Sequence, residues 1–212
     1  MGDLMSAALQ NRLEQLRVMP VLAIENPDLG IKVAEVLTDA GFPAAEVTFR
    51  TDSAARVMAG IRQAFPDMLL GAGTVTSKEQ LVAAQEAGVD FAVSPGFNPA
   101  IVGLAGQLGL PFIPGINSPS QVEQAMMMGL QVLKFFPAEV SGGVSMLKAL
   151  QSVYPVRFMP TGGVSTDNVR QYLELDSVLV CGGTWLAPAE LIEQQKWQLI
   201  AHRLSELRRL LV

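Results

Sequence analysis

The sequence predicts an α/β protein in which eight parallel strands, each followed by a helix, close into a (β/α)8, or TIM, barrel with an extra N-terminal helix. Three observations carry this. Eight short apolar runs recur with starts 20 to 26 residues apart, and helix-patterned segments rich in Ala, Leu, Gln and Glu lie between them. The runs are also continuous rather than alternating, as strands buried on both faces are. A strand–helix–strand rhythm implies parallel pairing, and eight such units are the number that closes a barrel.

Taken in order, residues 1–16 read as the extra helix. The strands follow at 18–24, 44–49, 69–74, 91–96, 111–116, 132–137, 157–163 and 177–183. Segments 29–40 and 78–87 carry the apolar spacing of helices. Gly41, Gly88, Gly109 and Gly129 each end such a pattern and precede an apolar residue, which is the setting of a C′ glycine. A doubly wound open sheet is the rival. It fits less well, because Glu25-Asn26-Pro27-Asp28 follows the first strand where a dinucleotide fold carries G-x-G-x-x-G. Gly71-Ala72-Gly73-Thr74, after the third strand, lacks the later glycine.

With 212 residues, 50% of them hydrophobic, the chain can bury one large core, so a single domain over 1–212 is expected. The net charge of −5 comes from scattered single charges, leaving no basic footprint for nucleic acid or an anionic membrane. No apolar run approaches the roughly 18 residues a membrane span needs. Cys181 is the only cysteine, and Asp3, Arg12, Glu14 and Arg17 stand where a signal sequence has its apolar core; the expectation is a cytoplasmic protein without disulfides. The one histidine, His202, falls in a charged, helix-patterned stretch at 201–209 that reads as surface. Chemistry built on clustered imidazoles or a Ser-His-Asp triad is thereby disfavoured, leaving lysine, carboxylates, hydroxyls and backbone.

Four of the five lysines, Lys32, Lys78, Lys148 and Lys196, fall on helical, solvent-facing positions. Lys134 lies instead in the sixth strand, Val132-Leu133-Lys134-Phe135-Phe136-Pro137, on one face with Phe136. An amine in apolar surroundings is held toward its neutral form, and the neutral amine attacks a carbonyl to give an iminium. Taken alone, Lys134 fits a buried ion pair as well as a nucleophile. In the second strand Glu46, Thr48 and Arg50 share a face at period two. A buried carboxylate can relay protons, and an arginine toward the strand's C-terminal end can grip a substrate carboxylate with its fork of donors. Glycine pairs close the last two strands, in Pro160-Thr161-Gly162-Gly163 and Cys181-Gly182-Gly183-Thr184-Trp185. Loops after strands seven and eight are where barrels bind phosphate on exposed backbone N–H groups.

Together with Gly71-Ala72-Gly73-Thr74-Val75, Ser94-Pro95-Gly96, Pro114-Gly115 and Lys134-Phe135-Phe136-Pro137-Ala138-Glu139, these motifs make the chain resemble the bacterial 2-keto-3-deoxy-6-phosphogluconate (KDPG) and 4-hydroxy-2-oxoglutarate aldolase family. The resemblance spans roughly residues 18–188, with each motif at the end of a successive strand. It implies a class I aldolase that needs no metal or other cofactor. Such an enzyme splits a small 2-keto acid phosphate of the Entner-Doudoroff pathway into pyruvate and glyceraldehyde 3-phosphate, as a homotrimer. It also implies roles: Lys134 for the Schiff base, Glu46 for acid–base chemistry, and Arg50 and Thr74 for the pyruvate carboxylate. Phe136 packs beside the imine, Pro95 lines the pocket, and Thr161, Gly162, Gly163, Gly183 and Thr184 surround the phosphate. Arg50 favours the gluconate-derived substrate over its galactonate epimer. Thr184 stands where the family pattern has serine, and Asn117-Ser118 replaces a Ser/Ala-Thr pair; both touch fine specificity. The alternatives are a galactonate-type aldolase, a phosphate-binding barrel isomerase or epimerase, and a non-catalytic sugar-phosphate binder.

Overall fold

A computed structural model of the chain describes residues 5–211. After α1 (Ala7–Leu16), strands and helices alternate: β1 (Val18–Leu22), α2 (Pro27–Asp39), β2 (Ala44–Thr48), α3 (Ala54–Ala64), β3 (Leu69–Gly73), α4 (Lys78–Glu86), β4 (Phe91–Val93) and α5 (Pro99–Leu108). Then come β5 (Phe112–Ile113), β6 (Gly115–Ile116), α6 (Pro119–Met127), β7 (Val132–Phe135), a 3-10 turn at Glu139–Ser141 and α7 (Gly143–Gln151). The chain continues through β8 (Arg157–Pro160), α8 (Val169–Leu173), β9 (Cys181–Gly183), α9 (Ala189–Glu193) and α10 (Trp197–Leu211). This is an α/β fold with parallel strands.

Each of the eight expected strand positions holds a strand, although the fifth is cut in two. Pro114 has no N–H to give the ladder, so β5 stops before it and β6 starts after it; its carbonyl still accepts from the Lys134 N–H at 2.9 Å. Of the helix expected at 1–16, residues 1–4 lie outside the described residues. The rest forms α1, capped where the Ser6 side chain accepts from the Leu9 N–H and tied to β8 by Glu14 and Arg157 at 2.7 Å.

The four expected C′ glycines all have left-handed backbone, with φ of 82° at Gly41, 76° at Gly88, 68° at Gly109 and 82° at Gly129. In each case the next residue, Phe42, Val89, Leu110 or Leu130, sends its N–H back five residues to a helix carbonyl. One local rule thus ends four helices and turns each toward a strand.

By internal packing the chain divides into two compact units, Met1–Val18 with Val93–Gly183, and Met19–Ala92 with Thr184–Val212. In the second, β1, β2, β3 and β4 pair in chain order, and the register aligns Val21, Glu46, Gly71 and Phe91. Helices α2 and α3 bury Val33, Leu37, Val57 and Ile61 completely. They cross so closely that a Cβ on Gly30 would stand 2.6 Å from Val57 Cγ1. Such side chains each contribute about 1.5–3 kcal/mol through burial. Arg62 on α3 donates to the Gly88 carbonyl and pairs with Asp90, which in turn accepts from the Leu70 N–H, each at 2.8 Å.

In the first unit, β6, β7 and β8 pair in order, and the register aligns Gly115, Lys134 and Met159. Bridges join Phe158 to Val178 and Thr161 to Gly182. No helix among the described residues is long and apolar enough to cross a membrane. His202 lies exposed on α10 beside Glu206, on the face opposite the buried Ile200, Leu204 and Leu207, as its surface reading expects.

Candidate active site

In the second unit the expected residues gather at the C-terminal ends of β2 and β3. Glu46 is completely buried, and its carboxylate leans along the sheet over Gly73: a Cβ placed there would lie 2.3 Å from Glu46 Oε1. Glycine at 71 and 73 clears that face of β3 for Phe91 and Glu46 respectively. Thr48, also buried, donates from its hydroxyl to the Leu22 carbonyl at 2.9 Å, so it serves the sheet. The shared face proposed for Glu46, Thr48 and Arg50 holds only for the first two. The strand ends at Thr48, and Arg50 lies exposed in the turn beyond it, where Thr51 Oγ1 donates to the Ile24 carbonyl at 2.8 Å. An exposed guanidinium at a strand's C-terminal end is still placed to meet an anion arriving from solvent.

Thr74 follows Gly73 with φ of 58°, a left-handed conformation that a β-branched residue rarely adopts. Backbone held there costs about 1–3 kcal/mol and persists only where surrounding structure fixes it.

In the first unit Lys134 is 4% exposed on β7, with Nζ 5.7 Å from the centroid of the ring of Phe136, which lies in the turn just beyond the strand. Its register partner Gly115 is pressed against the chain after β4, where a Cβ would stand 2.2 Å from the Pro95 carbonyl oxygen. Gly115 thus has Lys134 as its neighbour across the sheet and Pro95 against it. Just beyond the next strand, β8, stands Thr161, whose buried Oγ1 has no hydrogen-bond partner among the described residues. Gly162 and Gly163 follow with φ of 96° and 81°. Their carbonyls accept from the Glu139 N–H and Asn168 Nδ2, each at 3.0 Å, whereas no hydrogen bond among the described residues uses their own N–H groups. A buried hydroxyl and two unused N–H donors on a glycine turn are the equipment of an anion site. Gly182 lies against Thr161, since a Cβ on it would come 2.3 Å from Thr161 Oγ1; Gly183 ends β9, and Thr184 beyond it is exposed.

A family model for KDPG and KHG aldolase matches residues 9–203. The chain belongs to the KDPG and KHG aldolase family. It is 42% identical, over 92% of both chains, to the 2-dehydro-3-deoxy-phosphogluconate aldolase of Haemophilus influenzae. Among solved structures, a Legionella pneumophila KDPG aldolase holding pyruvate as a covalent carbinolamine superposes with a TM-score of 0.89 at 37% identity, covering 92% of this chain and 95% of that one. The KDPG aldolase of Zymomonas mobilis with 3-phosphoglycerate gives 0.84 at 37% identity, with 92% and 93% covered. The chain is therefore an aldolase, a carbon–carbon lyase.

Within this aldolase three features escaped sequence reasoning. The clearance over Gly73 was legible in principle, because glycine at period two inside a strand marks a close approach. The left-handed Thr74 gave no sign, and neither did Tyr172, whose hydroxyl donates to Glu139.

Proposed function

We propose that this aldolase forms a Schiff base between Lys134 and the C2 ketone of KDPG, releasing glyceraldehyde 3-phosphate and then pyruvate. The observation that carries the proposal is a lysine 4% exposed in an apolar strand, over an aromatic ring, within the family's motif. The carbinolamine of pyruvate in the Legionella enzyme supports it.

The neutral Lys134 amine adds to C2, and loss of water, with protons relayed by Glu46, leaves a protonated imine. As the C4 hydroxyl gives up its proton, the C3–C4 bond breaks and its electrons move into the imine. C4 departs as the aldehyde of glyceraldehyde 3-phosphate, and C3 is left as an enamine. Glu46 directs a proton to C3, and water hydrolyses the imine to release pyruvate and regenerate the amine. Atoms balance with water alone. Arg50 and Thr74 hold the carboxylate end, Phe136 and Pro95 flank the imine, and Thr161, Gly162, Gly163, Gly183 and Thr184 hold the phosphate. The same lysine acts on 4-hydroxy-2-oxoglutarate, giving pyruvate and glyoxylate.

We read the eight strand positions as one (β/α)8 barrel, a single domain with α1 as the additional helix. Neither compact unit is a continuous stretch of chain, which supports one domain rather than two. We also propose a homotrimer in the cytoplasm, as the family resemblance implies; Met127 and Val140 are exposed apolar side chains that a partner subunit would cover. Borohydride reduction in the presence of pyruvate is expected to add a reduced pyruvyl group to the peptide containing Lys134, and Lys134→Ala is expected to abolish trapping and turnover. Label on another residue, or full turnover by the variant, overturns the assignment.

A further inference from the structure

The Gly162–Gly163 turn is held from outside by Glu139, Tyr172 and Asn168, which none of the roles above uses. Glu139, the first residue of the 3-10 turn after β7, donates its N–H to the Gly162 carbonyl at 3.0 Å, beside the 2.8 Å bond from the Ala138 N–H to the Thr161 carbonyl. Its side chain lies over Gly163 so closely that a Cβ there would come 2.6 Å from Glu139 Cγ. The carboxylate then accepts the hydroxyl of Tyr172 on α8. Tyr172 is completely buried, and its burial together with the Glu139 carboxylate raises its phenol far above the ordinary range, so it stays a proton donor. Just before the same helix, Asn168 holds both sides of the loop, with Nδ2 on the Gly163 carbonyl at 3.0 Å and Oδ1 accepting from the Ser165 N–H at 2.8 Å.

These contacts fix which way the peptide planes of the glycine turn face. The Thr161 carbonyl, held by the Ala138 N–H, fixes the plane that carries the Gly162 N–H, and the Gly162 carbonyl, held by the Glu139 N–H, fixes the plane that carries the Gly163 N–H. Glycine supplies no side chain to hold such a turn, so the constraint must come from neighbours. We propose that Glu139 and Tyr172 are positioning residues for phosphate: by propping the glycine turn they set the enzyme's preference for phosphorylated over unphosphorylated 2-keto acids. This rests on the reading of Gly162 and Gly163 as phosphate donors. The hydrogen bonds of the prop end on the glycine turn, Ser165 and Tyr172, so imine formation with pyruvate is expected to be independent of it.

The test compares kcat/KM for KDPG with that for 4-hydroxy-2-oxoglutarate, which has no phosphate, together with borohydride trapping of pyruvate. Tyr172→Phe keeps the buried ring and removes the donor. It is expected to lower kcat/KM for KDPG about tenfold, mostly through KM, while 4-hydroxy-2-oxoglutarate and trapping change less than about twofold. Glu139→Ala, at an exposed position, is expected to do the same. Glu139→Gln keeps an acceptor for the hydroxyl and is expected to restore most of the preference. Equal losses on both substrates in the Glu139 variants, or an unchanged ratio in Tyr172→Phe and Glu139→Ala, overturn the proposal alone. A wild type without preference for the phosphorylated substrate overturns the phosphate reading and the proposal with it.

Discussion

Gly73→Ala separates the chemistry of Glu46 from the stability of the sheet that holds it. The backbone at 73 is ordinary β-strand, so alanine meets no conformational penalty, and the whole effect comes from the added methyl. That methyl would stand 2.3 Å from Glu46 Oε1, 2.8 Å from Cγ and 2.9 Å from Cδ, whereas ordinary contact begins near 3.4 Å. The carboxylate must retreat by about 1 Å, and a misplacement of that size costs roughly a hundredfold in rate where geometry governs proton transfer. Overpacking of this kind costs about 1–3 kcal/mol, which for a chain of this length lowers Tm by a few degrees and leaves the protein folded at 25 °C.

The assay is pyruvate release coupled to lactate dehydrogenase, run beside thermal unfolding of the same preparation. The expected result is a folded variant with kcat down about a hundredfold. Gly71→Ala is the control, because its methyl would strike the buried Phe91 ring, 2.4 Å from Cζ, rather than the carboxylate. It is expected to lose more Tm and less kcat. Full activity in a folded Gly73→Ala protein would refute the placement of Glu46 as the proton relay.

Thr74→Gly relieves a left-handed β-branched residue, so Tm is expected to rise by about 2–4 °C while half-saturation for pyruvate in the trapping assay rises about tenfold from loss of the hydroxyl. The Arg157 guanidinium, which bonds to Glu14, holds that carboxyl below its ordinary value. A depressed pKa contributes stability above the unfolded value that is lost as pH falls through the folded one. Glu14→Gln is therefore expected to lower Tm slightly at pH 7, by about a degree, and not at all near pH 3, in paired melting curves. Burial pushes the Cys181 thiol up to about 12, so a disulfide-exchange reagent at pH 8 is expected to label it only after denaturant is added. Activity is expected to survive prolonged treatment with a chelator, since the proposed steps consume only water.

Helix ends and strand starts were readable because they obey local rules. Gly41, Gly88, Gly109 and Gly129 announce their turns by identity alone, and a run such as 132–137 admits few alternatives. The burial of Lys134 and Glu46 within their strands was readable for a related reason, since a charge in an apolar strand has few physical fates. Arg50 was only half readable. Alternation extends a strand face indefinitely, but here the chain turns after Thr48, with the Thr51 hydroxyl bonded to the Ile24 carbonyl across 27 positions. Contacts of that span leave no trace in a short window, and the pairing of Glu139 with Tyr172, 33 positions apart, is hidden in the same way.

Thr74 differs in kind. Its conformation is not merely absent from the local signal but opposed to it, because a β-branched side chain disfavours positive φ. A glycine would relax the turn, as Gly162 and Gly163 do elsewhere in the chain. A threonine held at that cost points to a use for its hydroxyl where the strained turn puts it. Disagreement between local preference and observed backbone is expected at functional positions. That disagreement supports Thr74 as a substrate contact independently of the motif, and Thr74→Gly tests it, because a variant both more stable and unimpaired with pyruvate would leave the strain without a purpose.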